Sequence, residues 1–216
     1  MRLAITSVAG HPLDVGTWSA APANLSAALK RRTVDIVAVD SSLLTRIDKA
    51  VMAAGNSMRG YPWNAVSWFA PARQRRGAYV AERARRAGAD HVLCTGSLDV
   101  PLGTDVPYSI WMDNTWNLLR NSRVAPRFST TAMDEVDRLE RSALAGAATV
   151  LTFSAHVRDD VVAHYEVPSE RVFAVGCGSG ELAPFEGEKD YANGHLLLVA
   201  KHLFAEKGGE IVLAAL

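Results

Sequence analysis

Short apolar segments alternate along most of the chain with longer segments of helical periodicity. Six apolar segments, rich in β-branched residues, are predicted to be strands at 3–8, 34–40, 91–96, 106–113, 149–154 and 171–176. Helical patterns lie between them at 16–32, 43–54, 73–90, 130–147 and 154–167. Strictly alternating strands and helices favour an α/β fold, with a parallel sheet and helices on both faces.

Length and composition limit the class of protein. The 216 residues are 49% hydrophobic, which is enough for one well-packed domain and part of another. The 23 basic and 23 acidic residues balance, so no global charge favours a nucleic-acid partner. With only two cysteines, no apolar run near the ~20 residues of a membrane span and no signal peptide, we expect a cytoplasmic protein.

The predicted strands end in small and polar residues. Such residues follow the strands at 10–19, 40, 95–97, 113–115, 154 and 176–180. In open parallel sheets, ligands bind beyond the carboxyl ends of the strands. We therefore expect the binding crevice along this edge, in a Rossmann-like domain formed by residues 1–180.

The last part of the chain begins a new structural unit. A polar, glycine-rich stretch at 181–194 is predicted to be an interdomain linker. An apolar run, "LLLVA", follows at 196–200, and a helical pattern begins near the glycine pair Gly208–Gly209. Residues 195–216 are therefore expected to start a second domain that is truncated here.

This carboxyl-terminal part resembles the GT-B glycosyltransferases, and family 4 in particular. The resemblance rests on "LLLVA" followed by Lys201 and then Lys207–Gly208, and on "FSAHVRDDVVAHYEVPSERVFAVGCGSG" at 153–180. It implies an acceptor domain at 1–180, followed by the first elements of a donor domain. It also implies metal-independent sugar transfer with retention of configuration. The chain itself is expected to be an inactive fragment, because the family's downstream Glu-x7-Glu element is absent.

The resemblance also implies a donor site. A UDP- or GDP-sugar would be the co-substrate, with no cofactor and no metal, and the sequence contains no Asp-x-Asp triplet. Lys201 and Lys207 are expected to bind the donor diphosphate, and Gly16 to allow close backbone approach. Positive charge near a helix start would stabilise the leaving diphosphate. The alternative is that both lysines are ordinary surface residues.

An acceptor site is expected at the strand ends. Asp113, at the end of the fourth strand, is the candidate catalytic residue, because a carboxylate there can orient or deprotonate an acceptor hydroxyl. The other acceptor-side candidates are Thr17, Trp18, Ser19, Asn114 and Ser154. The alternative for Asp113 is a helix N-cap.

The acceptor could be a small molecule, a lipid or a glycan. The stretch "RGYPWNAVSWFAPARQRR" at 59–76 sets tryptophans beside arginines, which is one pattern of peripheral membrane contact. The alternative is an acceptor-side flap with aromatic residues packed inward and arginines in solvent. The sequence does not determine the oligomeric state.

Two other function classes remain open. An NAD-type oxidoreductase or epimerase would need an acidic residue after the second strand, which Asp40 supplies. It would also need a glycine-rich turn after the first strand, and "GHPLDVGTWS" lacks that spacing. A non-catalytic small-molecule-binding domain of similar architecture is the third possibility.

Overall fold

A computed structural model shows one six-stranded sheet. It describes residues 1–42, 44–122, 125–178, 180, 186–188, 192, 194, 197–198, 204–205 and 207–215. The strands are β1 Arg2–Ser7, β2 Asp35–Asp40, β3 His91–Cys94, β4 Tyr108–Met112, β5 Thr149–Thr152 and β6 Val172–Ala174. All six predicted strands are confirmed, although every strand except β1 is shorter than its apolar run.

The sheet is parallel throughout, in the order β2-β1-β3-β4-β5-β6. The chain first moves outward from β1 to β2, then crosses back to place β3 on the other side of β1. Leu3 accordingly pairs with Ile36 of β2 on one side and with His91 of β3 on the other. Such a reversal opens a crevice beyond the carboxyl ends of β1 and β3.

Helices connect the strands. Their bounds are α1 Ala21–Arg31, α2 Arg46–Met58, α3 Ala70–Arg86, α4 Trp116–Arg120, α5 Thr130–Gly146, α6 Ala155–Ala163 and α7 Gly209–Ala215. Several starts have a side-chain cap: Thr45 and Asp48 form a capping box on α2, and Ser129 caps α5. These caps satisfy backbone N–H groups that a helix start leaves unpaired.

Both faces of the sheet are apolar and carry helices. On one face, buried Val92, Ile110 and Val150 pack in a core that includes Val80 of α3 and Leu144 of α5. On the other, Leu3, Leu93 and Trp111 pack with Leu25 and Leu29 of α1. The fold is thus the α/β, Rossmann-like arrangement that the alternation predicts.

The start of α1 differs from the sequence prediction. The helical pattern begins at residue 16, but α1 begins at Ala21, and its N-cap Ala20 has φ 65° and makes no side-chain hydrogen bond. Pro22 does lie in the first turn, where its missing N–H costs nothing. The preceding residues Trp18 and Ser19 adopt a left-handed turn instead.

The end of the chain is described only in part. Helix α7 confirms the helical pattern after the glycine pair, and exposed Lys207 lies just before it. Lys201 lies outside the described residues, as do most of the predicted strand at 196–200 and of the linker at 181–194. None of the described helices is both long enough and apolar enough to cross a membrane.

Candidate functional site

Two cavities meet beyond the carboxyl ends of β1, β3 and β4. The inner cavity, about 190 Å³, is lined by Trp68, Trp116 and the segment Thr95–Ser97 among others. The outer cavity, about 300 Å³, is lined by Ser19 and Phe153 among others. Trp18 and Asp113 line both cavities. We refer to the two cavities together as the crevice, and it lies at the edge where the sequence predicts a ligand site.

A strained turn holds Trp18 in the crevice. Trp18, Ser19 and Ala20 have φ values of 49°, 53° and 65°, in the left-handed region. This conformation costs roughly 1–2 kcal/mol for each non-glycine residue. The indole packs edge-on against Trp111 at 6.5 Å and Phe153 at 6.1 Å between ring centroids. Such strain persists where the surroundings enforce it, and it concentrates at functional sites.

Asp113 presents a free carboxylate to the crevice. It is exposed, directly after β4, and makes no hydrogen bond with any described residue. The N-cap of α4 is Thr115, whose hydroxyl accepts a hydrogen bond from the Leu118 N–H. The N-cap alternative for Asp113 is therefore wrong. Asn114 is also exposed and lines the inner cavity, with its Oδ1 accepting a 3.0 Å hydrogen bond from the Thr115 N–H.

A buried carboxylate, Glu140 of α5, forms the floor of the inner cavity. Its Oε1 accepts a 2.7 Å hydrogen bond from the Ser97 hydroxyl. Its Oε2 accepts bonds from the Trp116 N–H at 2.5 Å and the Tyr165 hydroxyl at 2.7 Å. Burial raises the pKa of Tyr165, and the Glu140 charge adds to that rise, so the phenol stays a donor. One side chain thus connects the segment after β3, the start of α4 and the end of α6.

Arg73 of α3 supplies the opposite charge. It is buried, and its guanidinium donates to the Trp68 carbonyl at 2.9 Å and the Ser97 carbonyl at 3.3 Å. Burial lowers the pKa of Arg73 to about 10, while the Glu140 carboxylate acts in the opposite direction. Arg73 therefore stays charged at neutral pH and binds the carbonyls of two residues, Trp68 and Ser97, that line the inner cavity.

Some aromatic residues of the 59–76 stretch pack inward, and others are exposed to solvent. Trp68 lies 5.3 Å from Trp116 between centroids, and Phe69 is fully buried. Of Trp63, Trp68 and Phe69 in this stretch, only Trp63 is largely exposed, at 68%. The inward packing agrees with the flap alternative. The flap alternative also places the arginines in solvent. This is wrong for Arg73 and Arg76, because both are buried.

The sequence contained signals for these buried charges that the prediction missed. Glu140 lies four residues from both Val136 and Leu144, inside the apolar stripe of α5. Arg73 and Arg76 share the buried stripe of α3 with Val80. A charged residue at a core position predicts a buried ionic network, because such residues are almost never fully buried unless paired.

Three other predicted residues, Thr17, Ser154 and Gly16, line neither cavity of the crevice. Thr17 is buried below the left-handed turn. Ser154 is exposed, and its hydroxyl caps α6 by accepting from the Val157 N–H at 3.3 Å. Gly16 is exposed, and its N–H already donates to Asp14 Oδ1 at 2.8 Å. Trp18, Ser19, Asp113 and Asn114 are thus the predicted residues that converge on the crevice.

No protein-family model matches this sequence, and no curated protein gives a significant match. Within the described residues, no group of three or more His, Cys, Asp or Glu side chains is arranged to hold a metal ion.

Proposed function

We propose that this chain binds the acceptor of a sugar-transfer reaction in the crevice, as the acceptor domain of a glycosyltransferase. The observation that carries the proposal is the position of Asp113. Its exposed carboxylate lies where the inner and outer cavities meet, beside the indole of Trp18. The sequence resemblance to family-4 glycosyltransferases supports the same function independently.

The crevice has the chemistry of a carbohydrate site. A sugar ring presents C–H groups on its faces and hydroxyl groups at its edge. Indole rings such as Trp18 and Trp68 offer apolar surfaces for the faces. Carboxylate and amide groups such as Asp113 and Asn114 can bind the hydroxyl edge. The inner cavity, at about 190 Å³, is of the order of one sugar ring in size.

In the proposed reaction, Asp113 acts on the acceptor hydroxyl. The carboxylate accepts a hydrogen bond from this hydroxyl and takes its proton as the oxygen attacks the anomeric carbon of the donor sugar on the face that the diphosphate leaves, so that the configuration is retained. The bond from that carbon to the donor phosphate breaks, and the nucleoside diphosphate departs with the electron pair. Lys201 and Lys207 are proposed to neutralise the departing diphosphate.

The strained turn has a clear use in this proposal. A pre-formed Trp18 reduces the loss of side-chain entropy when a ligand binds, because the indole is already immobilised against Trp111 and Phe153. A flexible loop would lose more conformational freedom on binding. Asp113, directly after a central strand, is held by the sheet in the same way.

The test is transfer from UDP- and GDP-sugars to a panel of hydroxyl acceptors by a form of the protein that includes a complete donor domain, with products detected by mass spectrometry. Asp113→Asn should lower the transfer rate by about 100-fold, the effect of losing a general base, with donor affinity unchanged. The matched control is Asp105→Asn, an exposed carboxylate that lines neither cavity of the crevice, and it should leave the rate unchanged.

Two results would contradict the proposal. Sugar binding without turnover would favour a non-catalytic binding domain instead. Equal rates in Asp113→Asn and the wild type would remove Asp113 from the reaction. The dinucleotide alternative has less support, because Asp40 Oδ1 already accepts a 2.9 Å bond from the Ser42 N–H. The chain after β1 also forms a left-handed turn instead of a glycine-rich one.

A further inference from the structure

Another cavity, of about 270 Å³, lies beyond the carboxyl end of β2. Its lining comprises Ser41, Leu44, Arg75, Arg76 and Tyr79, and we refer to it as the arginine pocket. Among the described residues, it shares no lining residue with the crevice. Two guanidinium groups and a tyrosine hydroxyl in one concave site are donors that suit an anion.

Arg76 is a buried cation with only neutral hydrogen-bond partners among the described residues. It is 5% exposed, and its Nη1 and Nη2 donate to the carbonyl and hydroxyl of Ser67 at 3.3 and 3.1 Å. Its Nε has no hydrogen-bond partner in the described part of the chain. A buried donor left unpaired is costly, so this N–H is a candidate contact for a bound ligand.

The carboxylates near the arginine pocket leave one positive charge uncompensated. Asp48 Oδ1 pairs with Arg75 Nη2 at 3.1 Å. Asp99 is fully buried, and its Oδ2 accepts a 2.5 Å bond from the Ser41 hydroxyl. Burial raises the pKa of Asp99, and Arg76 forms no ion pair with any carboxylate of the described residues, its hydrogen bonds going to Ser67 alone. An incoming anion would supply the missing negative charge.

We propose that the arginine pocket binds the phosphate group of a small phosphomonoester. Guanidinium groups match phosphate oxygens geometrically, and the dianion supplies more acceptor sites than a carboxylate. The volume exceeds what a bare phosphate ion needs, and Leu44 and the Tyr79 ring provide apolar surface for a short organic part. The proposal does not depend on glycosyl transfer, because it concerns a separate site.

The test is isothermal titration of the purified chain with glycerol 3-phosphate and, separately, inorganic phosphate, at constant ionic strength. Saturable binding of glycerol 3-phosphate is expected. Because Arg76 is buried, the main variant is Arg75→Gln, whose side chain is 59% exposed and can be changed without a cavity. Losing one charge-assisted contact should weaken binding about tenfold. Tyr79→Phe should weaken it by a smaller factor.

The matched control is Arg83→Gln, which removes the same charge from an exposed position of α3 outside the pocket. The affinity of Arg83→Gln for glycerol 3-phosphate should stay within about twofold of the wild-type value, since a distant exposed charge is screened by salt. Equal weakening in Arg83→Gln and Arg75→Gln would overturn the proposal, because it would show a general charge effect. Binding of inorganic phosphate without glycerol 3-phosphate, or of neither, would also overturn it.

Discussion

Removing the charge of Glu140 should destabilise the domain more than any ordinary surface change. Glu140→Gln keeps the size of the side chain. The amide can retain bonds to the Trp116 N–H and Tyr165 hydroxyl through its oxygen, and Ser97 can rotate to accept from its NH₂ group. Hydrogen bonds to a charged group are worth about 1 kcal/mol more than neutral ones. Three such bonds predict a loss of about 3 kcal/mol, and the buried Arg73 loses its counter-charge as well.

The assay is urea unfolding followed by circular dichroism, with the free energy of unfolding obtained by linear extrapolation. For a chain of this size, a loss of about 3 kcal/mol corresponds to a fall of about 6–12 °C in Tm. The control is Glu82→Gln, whose surface pair with Arg86 at 2.5 Å should contribute less than about 1 kcal/mol. A loss below about 1 kcal/mol for Glu140→Gln would refute the claim that this carboxylate organises the crevice floor.

Two further predictions concern packing and pH. Gly77→Ala should cost about 3 kcal/mol or more, because its Cβ would lie 2.5 Å from the Val100 carbonyl oxygen and 2.6 Å from Leu102 Cγ. Gly55→Ala in α2, where a Cβ meets nothing within 4 Å, should instead stabilise the folded chain by about 0.5–1 kcal/mol. Urea unfolding of both variants measures these changes. Burial raises the folded-state pKa of Asp99, so its contribution to stability is fully present below about pH 4 and is lost as pH rises through the folded pKa. The unfolding free energy of the wild type minus that of Asp99→Asn should therefore fall as pH rises above about 4, and a rise would contradict a raised pKa.

The architecture could be predicted because it depends on periodicity. Each buried strand appears as an apolar run, and α5 shows its apolar face at Met133, Val136 and Leu144. The residues at which strands begin and end are harder to predict, because hydrogen bonds to the neighbouring strands determine them. The run at 106–113, for example, forms a strand only over Tyr108–Met112, where β3 and β5 pair with it.

The details of the site were harder to predict. Nothing local in "TWSA" indicates three consecutive left-handed residues, since this conformation is enforced by packing of Trp18 on Trp111 and Phe153, residues distant in sequence. The hydrogen bonds of Glu140 were hard to predict for the same reason, because its partners lie in three segments that are distant from it in sequence. Asp113 was predictable because a strand end in a parallel sheet has a known location in the fold.

The most direct test of the account is whether Trp18 senses a bound sugar. The chain has five tryptophans, and their indole N–H signals can be followed by NMR in ¹⁵N-labelled protein. The signal that is missing from the spectrum of Trp18→Phe belongs to Trp18. Titration with a panel of monosaccharides and sugar alcohols should shift the Trp18 signal saturably for at least one member, and Asp113→Asn should abolish or strongly weaken that shift. No shift with any member, or shifts confined to the exposed Trp63, would contradict a carbohydrate site in the crevice.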